Sequence, residues 1–129
     1  MTRPASTAVR VLLPAAPFSV RLARHYVRAY LGFAPAIAQQ VELALSEAIG
    51  NAVIHAYRGG DGEIELIMNL RRDTVELVVR DFGIGPLPYS ESAGFGMLLM
   101  RSLSDRLEIH GSPTEGTTVR MEFPIATAA

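Results

Sequence analysis

Residues 36–57 form the stretch that most constrains this 129-residue chain. Read as a helix after Pro35, the segment places Ile37, Val41, Leu45, Ala48 and Ala52 on one side, with Leu43, Ile49 and Val53 elsewhere. A helix that is apolar nearly all round is buried on most sides, so it needs both a sheet and another helix to cover it. Its polar exceptions, Glu47, Asn51 and His55, fall four apart and so share one face. Polar groups in such a setting require partners.

The flanking segments supply the cover. Val9, Val11 and Leu13 alternate over 8–13, and Pro14 and Pro17 end that strand. A helix is expected from Ser19, as its cap, to about Leu31, with Gly32 as its stop. It sets Arg21, Arg24 and Arg28 on one face beside an apolar stripe of Val20, Ala23, Val27 and Leu31. Alternation then predicts strands over 63–70 and 74–80, joined through Arg71, Arg72 and Asp73 as a hairpin. A loop over 82–94 precedes a short helix of about 95–104, and strands over 107–110 and 117–123 close the chain. The order β-α-α-β-β-α-β-β has too few helices to cover both faces of a sheet. The expected class is α/β in the α+β sense: a two-layer sandwich whose mixed, mainly antiparallel sheet carries helices on one face. One domain spanning 1–129, with its core in about 8–124, accommodates this order.

Composition excludes several chemistries. The chain has no cysteine, hence no disulfide, thiolate metal site or cysteine nucleophile. All 12 basic residues are arginine, which excludes a Schiff-base lysine and a Walker A lysine. Residues 1–58 hold six arginines against two acids, and 59–129 hold six against eleven. These halves either pair within the fold or offer a partner two faces of opposite sign. No run approaches a membrane span, and Arg10 and Pro14 interrupt the only apolar stretch near the start. A cytoplasmic protein without direct nucleic-acid or membrane contact is expected.

Four clusters carry possible chemistry. In Glu47-x-x-x-Asn51 the carboxamide oxygen suits a hard cation such as Mg²⁺, and the carboxylate can take a proton beside it. Taken alone, a buried pair satisfying itself is the plainer account. In Asp81-Phe82-Gly83-Ile84-Gly85 a carboxylate at the end of an apolar strand can accept from an exocyclic amine such as adenine's, while the glycines admit a flat ligand; an ordinary turn explains it equally. Gly94-Phe95-Gly96-Met97 opens a helix whose free N–H groups suit phosphate. Gly116-Thr117-Thr118 enters the last strand, where a threonine hydroxyl could face the same pocket.

In combination and order these clusters resemble the GHKL ATPase superfamily with its Bergerat fold, and most nearly the anti-sigma factor serine/threonine kinases of bacterial partner-switching systems. Residues 45–57 look like the N box, Asp81-x-Gly83-x-Gly85 the G1 box, and Gly94-x-Gly96 the G2 box. Gly116-Thr117 is similar to the last nucleotide-contacting motif. The resemblance implies that Asn51 holds Mg²⁺ on the ATP phosphates and that Glu47 is the general base. It implies that Asp81 receives the adenine amino group with Thr117 in support, that Gly83 and Gly85 shape the pocket, and that Gly94 and Gly96 flank a phosphate lid. The implied partners are an anti-anti-sigma (STAS) protein bearing the target serine or threonine, a sigma factor, and a second copy of the chain. Arg21, Arg24 and Arg28 become a partner surface. His55 and Tyr57 match the family's helix end, where packing is the expected role. Two departures stand out. Gly50 replaces a larger residue, and the lid segment 86–93 carries no basic residue, which leaves the phosphate charge to Mg²⁺, helix N–H groups, the partner or another arginine such as Arg101. Two other readings stay open at this point. One is a nucleotide-binding switch without catalysis. The other is a detached histidine-kinase ATP-binding domain, against which Arg24-His25-Tyr26 lacks the acidic residue usual after a phosphoacceptor histidine.

Overall fold

A computed structural model describes residues 7–56, 62–83, 95–112 and 116–125. Strand β1 (Thr7–Pro14) leads to helices α1 (Phe18–Tyr30) and α2 (Pro35–Asn51). Strands β2 (Glu63–Leu70) and β3 (Thr74–Asp81) follow, then helix α3 (Phe95–Leu103) and strands β4 (Arg106–Ser112) and β5 (Gly116–Pro124). The sheet order is β1-β2-β3-β5-β4, and all four pairings are antiparallel. The observed order of elements is the one the alternation predicts, and the class is α+β.

Period-2 alternation sends one set of side chains toward the helices: Leu13 from β1, Ile64, Leu66 and Met68 from β2, Val75, Leu77 and Val79 from β3, and Val119, Met121 and Phe123 from β5. From the helices come Ala23 and Val27 of α1, Val41, Leu45, Ala48 and Ile49 of α2, and Met100 of α3. α2 lies against α1 and α3 as well as against β3 and β5, which accounts for its apolar girth. Among the described residues no helix is long and apolar enough to cross a membrane.

Two local expectations are corrected. Ser19 does not cap α1. The cap position is Pro17, without a side-chain cap bond, and the buried Ser19 hydroxyl donates to the Pro14 carbonyl across the turn from β1. The second helix is not α-helical throughout: beyond Asn51, residues Ala52–Ala56 form a π-helical turn. Gly50 and the β-branched pair Val53 and Ile54, all weak helix formers, flank the change.

Gly50 itself is open to a test. A Cβ there would meet nothing within 4 Å among the described residues. Gly50→Ala is therefore expected to stabilise the fold by about 0.5–1 kcal/mol through backbone entropy, read as a rise of a few degrees in melting temperature. A fall would show that the helix needs glycine at this turn.

Candidate functional site

Two groups of residues border the layer between α2 and the central strands. The first is built on α2. Glu47 and Asn51 lie one turn apart, and α3 approaches them through the buried Gly96. The approach is close: a Cβ on Gly96 would fall 2.8 Å from Glu47 Oε2 and 3.6 Å from Asn51 Nδ2. Glycine is thus what lets the start of α3 sit over the two polar side chains. The Glu47 carboxylate has no hydrogen bond or ion pair among the described residues, and Asn51 Nδ2 is a buried donor without a partner. A buried donor left unpaired costs about 1–3 kcal/mol, so such a group calls for a partner, whether a water or a ligand. Glu47 and Asn51 do not satisfy each other, and the self-contained pair is excluded.

The second group ends β3. Asp81 continues the inward series of Val75, Leu77 and Val79, and this phase buries a carboxylate. Thr117, in phase with Val119 and Met121, lies beside it on β5 and is also buried. Oδ1 of Asp81 accepts both the Gly83 N–H and the Thr117 N–H, each at 3.2 Å. Oδ2 has no partner among the described residues. Burial raises the Asp81 carboxyl above its ordinary value, against which the two N–H bonds act.

Both groups fit a nucleotide with its cation. Asn51 could offer a carboxamide oxygen to Mg²⁺ and its orphaned donor to a phosphate oxygen, and Oδ2 of Asp81 is an acceptor without a donor among the described residues. Arg101, a candidate for the phosphate charge, is exposed on α3, about 140° round the helix from Gly96. It therefore does not join Glu47 and Asn51. Gly85, Gly94, Tyr57 and the lid segment lie outside the described residues, as does the His55 side chain.

The arginine face of α1 is not uniform. Glu42 of α2, buried, takes Arg28 at 2.7 Å and Arg24 at 3.4 Å. The Arg28 hydrogen bond, more than the burial that opposes it, holds the Glu42 carboxyl below its usual range. Arg21 is exposed and makes no ion pair among the described residues. Across halves, Arg10 pairs with Glu65. Part of the charge imbalance is thus neutralised inside the fold. The sequence reading missed Glu42, whose partners become visible only once α1 and α2 pack. It also missed the backbone donors of Gly83 and Thr117, for which the only signal was a glycine, Gly83 itself and Gly116 next to Thr117.

A family model for the histidine kinase-like ATPase domain matches residues 13–123. The anti-sigma F factor of Bacillus velezensis is 34% identical over 96 residues, which are 64% of this chain and 66% of that protein. Its counterpart in Priestia megaterium is 33% identical over 98 residues, 64% and 67% of the two chains. That of Bacillus subtilis is 31% identical over 96 residues, 64% and 66% of the two chains. The chain thus spans about two thirds of the length of these relatives. A crystal structure of the RsbU and RsbW domains of a Mycobacterium tuberculosis protein has the same fold, with a TM-score of 0.70 at 19% identity. The match covers 95% of this chain and 34% of that one.

Proposed function

The chain belongs to the histidine kinase-like ATPase domain family, and from that premise we propose that it is an ATP-binding anti-sigma factor that also phosphorylates a serine or threonine of an anti-anti-sigma (STAS) partner. One observation carries the catalytic part: a carboxylate with no partner among the described residues, Glu47, one helical turn from an amide with an orphaned donor, Asn51, both beside the helix start at Gly96. The names of the relatives support the anti-sigma part.

In this reading Asp81 accepts from the adenine amino group through Oδ2. Asn51 provides the oxygen for Mg²⁺, which when bound would offset the charge of the phosphates. Glu47 takes the proton of the attacking hydroxyl as its oxygen bonds to the γ-phosphorus. The bond from that phosphorus to the β-phosphate oxygen breaks, and ADP leaves. A phosphotransfer assay with ATP and a cognate STAS protein tests the proposal, and labelled phosphate on the partner is the expected result. A second reading, a nucleotide-binding switch without catalysis, draws on the absence of any basic residue in segment 86–93. ATP binding without transfer to any cognate STAS partner would favour it.

The partner surface is proposed on α1. Phe18, Leu22 and Tyr26 are exposed at four-residue spacing, so they form an apolar stripe beside Arg21. With Arg24 and Arg28 turned toward Glu42, Arg21 is the arginine of α1 that makes no ion pair among the described residues. Arg21→Glu is expected to weaken binding of the sigma factor or STAS protein about tenfold, by analogy with other interface charges, and to leave ATP affinity unchanged. Unaltered partner affinity would remove α1 from the interface.

A further inference from the structure

Gly116 is the only glycine among the described residues with a left-handed backbone, at φ +86°. It begins β5 directly opposite the end of β3. A Cβ at this position would lie 2.1 Å from the Asp81 carbonyl oxygen, 2.8 Å from its carbonyl carbon and 2.9 Å from Oδ1. The nearest obstacle is backbone, which cannot swing aside as the tip of a side chain can. Any L side chain would force the start of β5 away from Asp81, and the left-handed φ would add strain.

The same closeness sets the carboxylate. The Gly83 N–H reaches Oδ1 from two residues on, a local turn that ties Asp81 only to its own strand end. The Thr117 N–H reaches the same oxygen from the neighbouring strand. Two donors from separate segments hold the carboxylate and occupy one oxygen, and the other has no partner among the described residues. The N–H of the residue after Gly116 can do this only while β5 lies against Asp81.

We propose that Gly116 is a positioning residue for nucleotide recognition: by letting β5 touch Asp81, it directs the Thr117 N–H to Oδ1 and leaves Oδ2 for the ligand's amino group. The role rests on the reading that Asp81 receives that group. Gly116 touches no ligand itself and acts through Asp81.

The test is calorimetric titration of the full chain with ATP and with purine riboside 5′-triphosphate, which carries hydrogen where adenine carries its amino group. Wild type is expected to prefer ATP. Gly116→Ala is expected to bind ATP about tenfold more weakly and the analogue almost unchanged, so the preference collapses. An unchanged preference, or an equal loss for both nucleotides, would overturn the role, since general damage to the fold does not distinguish an amino group. Should Gly116→Ala not fold, Thr117→Pro removes the N–H without adding a Cβ at 116, and Thr117→Val keeps it. A larger loss of ATP preference in the proline variant supports the proposal, and equal preference in the two overturns it. Wild type that binds no ATP refutes the nucleotide reading itself, before any variant is compared. Wild type that binds both nucleotides equally refutes the Asp81 contact, and the positioning role with it.

Discussion

Glu47→Gln is expected to slow phosphate transfer to a STAS serine by about 10²–10⁴-fold, the range a general base contributes, with ATP affinity nearly unchanged. The substitution keeps the size of the side chain and its bonding to water but removes the proton acceptor. Glu47 is well suited to show so clean a separation. It makes no hydrogen bond or ion pair among the described residues, so its charge holds none of them in place. The neighbouring Gly96, whose added Cβ would press on Oε2, has no Cβ to disturb. A time course with labelled ATP, paired with a titration, reads both quantities. Transfer at the wild-type rate would show that another group takes the proton.

Asp81→Asn is expected to weaken ATP binding at least about tenfold, because the Oδ2 acceptor is replaced by an amide that no longer offers a charged oxygen to the amino group. The fold should survive. An amide oxygen can still accept the Gly83 and Thr117 N–H bonds that Oδ1 accepts now. The direction of the stability change follows from linkage. Burial raises the Asp81 carboxyl in the folded state above its unfolded value. Its favourable contribution is therefore fully present below the ordinary carboxylate range and is lost as pH rises through the raised value. At neutral pH the ionised group weighs against the empty fold, and the variant should melt at or above the wild-type temperature. ATP affinity of the wild type should fall on acidification through the same raised value. A variant that binds ATP like wild type would dissociate Asp81 from the ligand.

Much of this arrangement is legible before any coordinates. Alternation places Val75, Leu77 and Val79 on one face, and extending the phase by two residues puts Asp81 on that face too. Pro35 opens α2, and four-residue spacing unites Glu47 with Asn51. What escapes the sequence is made by segments that meet only on folding. Glu42 lies 14 residues from Arg28 and 18 from Arg24, and no local pattern reveals that it pairs with both. Ser19 looks like a cap because its type is right for one. The adjoining Pro14 carbonyl gives its hydroxyl a nearer acceptor. The π-helical turn after Asn51 depends on backbone bonding that residue types do not encode. Thr117 draws notice for its hydroxyl, yet its backbone N–H makes the observed contact, next to the left-handed Gly116.

The central claim is that the inner end of β3, with the start of β5, forms an adenine site served by the α2 pair. Titration of the wild-type chain with ATP and with GTP, each with Mg²⁺, tests it most directly. Guanine presents a carbonyl oxygen where adenine presents its amino group, so Asp81 would face a second acceptor. Saturable ATP binding about 5- to 150-fold tighter than GTP binding is the predicted result, equivalent to about 1–3 kcal/mol for one buried bond left unmade. Equal affinity for the two nucleotides, or no saturable binding of ATP, would contradict the account.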